Sequence, residues 1–233
     1  NGYRSQFGSF GSTATQLLTP LDDITDRVTA TVRYQTSRWF AELGYNGSFY
    51  DTKAAVLRWQ NPFSPMVAGA DEGQMALAPD NDYNEIALSA GWNGLPGNTT
   101  VALSAATGKG TQDIGFLPYT INQGVATQPL PMSDLHGEVD VMRADLTVTS
   151  RPLARLRLRG SVTYDERDDN SRQAAFDSRV YTDSFPMSGA PTNPVYGFER
   201  FRVFGSADYE LLQTLDLGLG GEYRQLERTG TDQ

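Results

Sequence analysis

The sequence predicts an all-β chain, a segment of an antiparallel up-and-down transmembrane β-barrel with about eight long strands in four hairpins. Three observations predict it. Apolar and polar residues alternate with period two over runs of about 10–14 residues, longer than the roughly 5–6 of soluble strands and sufficient for a tilted membrane strand. The connections alternate between short and long, as the periplasmic turns and extracellular loops of outer-membrane barrels do. Aromatic residues gather near strand ends (Tyr34, Trp39, Phe49, Tyr50, Trp92, Tyr164, Tyr209 and Tyr223), where interfacial girdles place amphipathic rings.

Residues 1–24, with Phe7, Phe10 and Pro20, read as a long loop. The first hairpin covers about 25–50. Val28, Ala30, Val32 and Tyr34 alternate with Thr29, Thr31 and Arg33; after the turn Thr36-Ser37-Arg38, Trp39, Ala41, Leu43, Tyr45 and Phe49 alternate with Glu42, Gly44, Asn46 and Ser48. A loop rich in Pro, Gly, Asp and Asn follows over about 51–82. The second hairpin, about 82–109, carries Ile86, Leu88, Ala90 and Trp92, the turn Gly94-Leu95-Pro96-Gly97-Asn98, then Val101, Leu103 and Ala105. Beyond a loop over about 109–136, the third hairpin, about 137–166, has Met142, Ala144, Leu146 and Val148 before the turn Arg151-Pro152-Leu153, and Leu156, Leu158, Val162 and Tyr164 after it. A third loop covers about 166–198. The fourth hairpin, about 199–228, has Val203, Ala207 and Tyr209, a turn around 211–214, then Leu215, Leu217, Leu219 and Tyr223.

The opposite phase is charged: Arg33, Glu42, Arg143, Asp145, Arg157, Arg159, Asp208, Glu222 and Arg224. In lipid, each cationic member near the midplane would cost roughly 2–4 kcal/mol, so these residues are expected to face a wet or protein-filled lumen. The rival reading, the solvent face of a soluble antiparallel sheet, explains neither the strand length nor the alternation of loop lengths. Both ends of the chain fall on the long-loop side and no terminal aromatic closes it, so a segment of a larger barrel is expected.

Composition narrows the chemistry. The 233 residues include no Cys, which excludes disulfides, thiolate metal sites, Cys nucleophiles and covalent haem attachment to this chain. The single His136 cannot build a His-rich metal site and reads as a polar loop residue. A net charge of −9, from 28 acidic and 19 basic residues, argues against a nucleic-acid partner. No apolar run approaches the roughly 18 residues of a spanning helix, and Asn1-Gly2-Tyr3-Arg4 does not open a signal peptide.

No catalytic constellation is present, and the chain is not expected to be an enzyme. His136 has no nucleophile elbow near it. Gly108-Lys109-Gly110-Thr111 ends a strand and lacks the spacing of a phosphate loop. The run Asp165-Glu166-Arg167-Asp168-Asp169-Asn170 offers oxygen ligands for a hard cation but lacks calcium-loop spacing, and reads as a solvated loop crown. Asn98-Thr99-Thr100 matches a glycosylation sequon that turn chemistry already explains. Nothing specific favours paired carboxylates for glycoside hydrolysis.

Several motifs, in order, carry a family resemblance. Trp59-Gln60-Asn61-Pro62-Phe63 resembles the Trp-Asp-Asn-Pro-Phe segment of the MtrB/PioB family of decahaem-associated outer-membrane proteins, and Ala76-Leu77-Ala78-Pro79-Asp80-Asn81 its Ala-Pro-Asp-Asn segment. Leu95-Pro96-Gly97-Asn98-Thr99, Phe116-Leu117-Pro118-Tyr119-Thr120, and Ser150-Arg151-Pro152-Leu153 leading to Tyr164-Asp165-Glu166-Arg167-Asp168 are similar to its next turns and strand end. The agreement covers most of residues 20–170 and is looser beyond. The resemblance implies a bacterial outer-membrane barrel of roughly two dozen strands or more, of which this chain would supply about a third. It implies a non-enzymatic sheath that holds a periplasmic multihaem c-type cytochrome in its lumen, meeting an extracellular multihaem cytochrome in many systems, for electron transfer across the membrane. The haem would belong to the partner, since no Cys-x-x-Cys-His occurs here, and the nine charged residues above would face it. The alternative is a diffusive porin or substrate channel with a water-filled lumen.

Overall fold

The computed structural model describes residues 2–10, 13–62, 68–113, 115–176, 178–181, 185–188 and 192–230. In chain order the strands are β1 (Gly2–Phe10), β2 (Thr13–Leu21), β3 (Asp23–Gln35), β4 (Trp39–Thr52), β5 (Val56–Gln60), β6 (Glu72–Ala76), β7 (Asn81–Leu95), β8 (Thr99–Gln112), β9 (Gly137–Leu153), β10 (Leu156–Asp169), β11 (Ser178–Tyr181), β12 (Phe185–Ser188), β13 (Gly197–Leu212) and β14 (Leu215–Thr229). Eight of them make one antiparallel sheet in the order β14-β13-β10-β9-β8-β7-β4-β3, so consecutive long strands are neighbours and β3 and β14 form its edges. β1–β2, β5–β6 and β11–β12 are separate two-stranded ladders.

The turns follow from local chemistry. At 36–38 the Thr36 hydroxyl accepts from the Trp39 amide at 3.1 Å and donates to the Trp39 carbonyl at 3.0 Å, closing the hairpin. At 96–98 Gly97 and Asn98 both take positive φ, 73° and 46°, the conformation that Gly and Asn adopt most readily. In the eight-stranded sheet the register shifts at turn ends, between Trp92 and Leu95, Leu156 and Leu158, and Glu210 and Leu212.

Three features differ from the sequence expectation. The segment 1–24, expected as a loop, contains the β1–β2 ladder, with residues 1, 11 and 12 outside the described set; its apolar alternation is too sparse to register as a strand signal. The loops over 51–82 and 166–198 hold the short ladders β5–β6 and β11–β12. The run 165–169 is not a loop crown but the end of β10. The long strands have 13–17 residues, because they continue past the apolar stretch into water at the loop end.

Pairing fixes the faces. Because cross-strand partners share a face and successive residues alternate, Val32, Leu43, Leu88, Leu103, Leu146, Val162, Val203 and Leu219 all lie on one side. They remain exposed, Val32 at 74% and Leu219 at 80%. The sheet thus has an uncovered apolar face and no core of its own; the buried apolar residues among those described, Leu57, Ala70 and Val125, sit in the loop region.

On the apolar face the hydrophobic band slides along the ladder. Its loop-side border is Phe49 on β4, Ile86 on β7, Met142 on β9, Phe201 on β13 and Tyr223 on β14. The register partner of Tyr223, traced through Val203, Val162, Leu146, Leu103 and Ala90, is Ala41, not Phe49. At about 3.4 Å per residue the border has moved about 27 Å along the strands while crossing about 29 Å of sheet, a slope of about 43°. A band that is level in a membrane requires strands tilted by that amount, inside the range of outer-membrane barrels. Beyond the border the same face turns acidic: Asp82, Glu138, Asp140, Glu166, Asp168, Glu199 and Glu227, with Lys109 paired to Glu138 at 2.5 Å.

Two outcomes follow for the full-length barrel in bilayers. Polarised infrared dichroism of oriented samples gives a mean strand tilt near 40°, and a tilt under about 25° contradicts the sliding band. Leu88→Arg, mid-band on the apolar face, lowers folding free energy by about 2–4 kcal/mol in lipid-vesicle unfolding, whereas Glu166→Arg on the same face beyond the border costs under about 1 kcal/mol.

Candidate functional site

The face opposite the apolar band is the polar one. A single register row crosses the whole sheet as Arg33–Glu42–Ser89–Ser104–Asp145–Thr163–Arg202–Arg224. By the same alternation Arg143, Arg157, Arg159, Asp208 and Glu222 lie on this side as well, so all nine residues singled out from sequence share one face. They do not form one cluster. Arg33 and Glu42 stand at the β3 edge, Glu222 and Arg224 at the β14 edge, about 30 Å away across the sheet.

Ion pairs stitch neighbouring strands on this face. Asp165 of β10 is central, with Arg143 of β9 at 3.7 Å and Arg200 of β13 at 3.6 Å. Glu222 of β14 receives Arg202 of β13 at 2.5 Å and also pairs with Arg224. Arg33 approaches Glu42 at 3.9 Å and stacks over the Phe40 ring, 5.1 Å from its centroid. Phe40 in turn lies across Gly91 of β7, where a Cβ would collide with the ring and displace it. The arginines of these pairs are exposed and their acids partly so, and each pair contributes at most about 1 kcal/mol; their chief effect is to keep charge on one side. Asp165, Arg200 and Arg202 were not among the residues singled out from sequence. Asp165 was hidden in the supposed loop crown, while Arg200 and Arg202 alternate with Phe201 and Val203 and were legible by period two.

The acidic run near the loop end is divided between faces. Asp165 and Arg167 point to the polar side, Glu166 and Asp168 to the other. Glu166 accepts from the Tyr164 hydroxyl at 2.9 Å, Arg167 donates to the Tyr196 carbonyl at 2.9 Å and Asp169 accepts from the Ser171 amide at 3.2 Å. The oxygens therefore do not converge on one cation. His136, at φ +44°, lies between two carboxylates, Asp113 at 3.1 Å from Nδ1 and Asp134 at 2.6 Å from Nε2. With the carboxylates on opposite nitrogens, the geometry is that of a paired imidazole closing the base of the 113–136 loop.

The loops build their own structure. Asn122, almost fully buried, accepts from the Asp71 and Glu72 amides at 3.0 Å each and donates to the Glu72 carbonyl at 2.6 Å. Gln74 donates to the Pro118 carbonyl at 2.8 Å. The β5–β6 ladder and the 113–136 loop are thereby joined, with Gly69 against Gly124 beside the buried Ala70 and Val125, and Phe116 meets Phe176 edge-on at 5.7 Å. Asn122→Ala removes the Asn122 side-chain bonds of this joint and leaves the Gln74–Pro118 bond. Limited proteolysis of the full-length barrel should cut within 113–136 at least several-fold faster, with heat-modifiable mobility of the barrel unchanged; equal cutting rates would show that the joint is not held by Asn122.

Comparison with known proteins places this sheet. The whole chain, residues 1–233, matches the family described as outer membrane beta-barrel porin, MtrB/PioB. It is 29% identical over 234 residues to the outer membrane protein MtrB of Shewanella baltica, a match covering 99% of this chain and 32% of that protein. The chain therefore spans about a third of the length of the curated relative it matches.

Proposed function

The chain belongs to the MtrB/PioB family of outer-membrane β-barrels and is a transmembrane segment of such a barrel, with short periplasmic turns and long extracellular loops; from that premise we propose that the complete barrel is a sheath for a multihaem c-type cytochrome that carries electrons across the outer membrane. The observation that carries this reading is the separation of faces: a sliding apolar band on one side and a polar side on the other, with ion pairs on β3–β4 and across β9, β10, β13 and β14. The hydrocarbon core is about 30 Å thick, too wide for a single electron hop, so redox centres must be spaced through it. A protein wire that bears them is polar and cannot meet lipid without large desolvation costs. A wall that is apolar outside and charged inside supplies the insulation.

On this reading Arg33, Glu42, Arg143, Asp145, Arg157, Arg159, Asp208, Glu222 and Arg224 face the lumenal cytochrome, the haems belong to that partner, and the barrel itself performs no catalysis. An extracellular multihaem cytochrome would dock at the loop end. The porin description of the family favours a second reading, a water-filled diffusive channel. Deleting the full-length gene should abolish electron exchange with extracellular iron or an electrode and leave periplasmic cytochrome reduction intact; unchanged exchange would sink the sheath. A large steady conductance of proteoliposomes that persists with the cytochrome bound would favour the channel.

A further inference from the structure

The arginines of the charged face fall into two groups. On the interior strands, Arg143, Arg200 and Arg202 each meet a carboxylate, and Arg167 donates to the Tyr196 carbonyl. Nearer the turns, Arg151, Arg157 and Arg159 meet no carboxylate among the described residues. These three converge from the end of β9 and the start of β10 on a cleft of about 420 Å³, whose lining also includes Asn98, Thr100 and Thr149 and contains no acid. The adjoining hollow, about 510 Å³, shares the three arginines and has Asp208, Glu210 and Asp216 on its β13–β14 flank. Asp208 stands opposite Arg157 in the ladder, yet neither it nor Glu210 or Asp216 closes an ion pair with the three arginines, and the lining of the smaller cleft is arginine without acid.

The cleft is held in shape. The Arg151 amide donates to the Gly97 carbonyl at 2.8 Å, the Ser150 hydroxyl reaches the same carbonyl at 3.2 Å, and Ser150 Oγ lies 2.8 Å from Thr99 Oγ1. Turn 96–98 is thereby latched to the end of β9. A guanidinium stays charged at physiological pH and offers a planar fork of N–H donors that matches a carboxylate with two parallel bonds. Three such groups side by side repel one another until an anion joins them.

We propose that this cleft, at the periplasmic mouth of the lumen, seats a carboxylate-bearing segment of the protein held inside the barrel. The proposal rests on the sheath reading above and adds to it where the partner is gripped and through which chemistry. The chain is acidic overall and the paired arginines elsewhere are already neutralised, so the complementary surface is an acidic one on the partner.

The test uses the full-length barrel in nanodiscs and its lumenal multihaem cytochrome. Arg151→Gln/Arg157→Gln/Arg159→Gln should weaken the complex about 10–100-fold at low salt and flatten the dependence of affinity on ionic strength, because the charge-assisted contacts that salt screens are gone. The corresponding triple Lys variant should keep most of the affinity, which separates lost charge from a folding defect; if the Gln triple does not fold, Arg157→Gln alone should weaken binding about 3–10-fold. Equal affinity and equal salt dependence in a folded Gln variant overturn the cleft while leaving the sheath intact. No complex with the unaltered barrel overturns the sheath, and the cleft with it. Unchanged partner affinity, together with loss of anion selectivity of the empty barrel in planar bilayers, assigns the cleft to small anions and overturns the proposal.

Discussion

The structure depends on one constraint: inside the hydrocarbon layer no water is available to a backbone N–H or C=O, so every strand must be paired along its length. The six inner strands meet this on both sides and β3 and β14 on one, in an uninterrupted antiparallel ladder whose register irregularities fall at the turn ends. Once the ladder is continuous, alternation is no longer a local preference but a property of the whole sheet. A residue on β3 and its register counterpart on β14 are obliged to lie on the same side, because seven successive pairings carry the phase between them.

That obligation inverts the usual arrangement of a folded domain. Apolar side chains such as Val32 and Leu219 remain uncovered by protein, and the few well-buried residues lie where water returns, in the joint between the β5–β6 ladder and the 113–136 loop. There the governing physics is that of an ordinary soluble fold. Asn122 replaces missing ladder bonds by bonding the Asp71 and Glu72 backbone, and Ala70 and Val125, next to those segments in the chain, are buried. One chain thus folds under two solvents, with the aromatic border near Phe49, Phe201 and Tyr223 marking the change.

The four hairpins were legible in the sequence because lipid demands an apolar residue at every second position, and Ile86, Leu88, Ala90, Trp92 or Leu215, Leu217, Leu219 satisfy it without exception. The common side of the nine charged residues was legible for the same reason. Where lipid imposes no demand, the signal disappears. β1–β2 and β5–β6 pair through their backbones with little alternation, and the strand end 165–169 carries charge on both faces, so it read as a loop. The Asn122 joint depends on contacts about 50 residues apart in the chain, which no local pattern announces. The arginine cleft was half visible: Arg157 and Arg159 stood out by phase, but Arg151 read as part of a turn, and only the latch to Gly97 brings it beside them.

The acidic positions above the band have a mechanical consequence. Glu166, Glu199 and Glu227 stand directly opposite one another on adjacent strands, as do Asp140 and Asp168. Sinking the sheet by a single pair of residues would lower it by about 5 Å and draw this collar toward hydrocarbon, where a buried acid costs about 2–3 kcal/mol at the membrane centre. Sliding outward would instead expose the apolar band to water. The wall is therefore fixed in height by its own sequence, and any redox or solute path it encloses inherits a definite length.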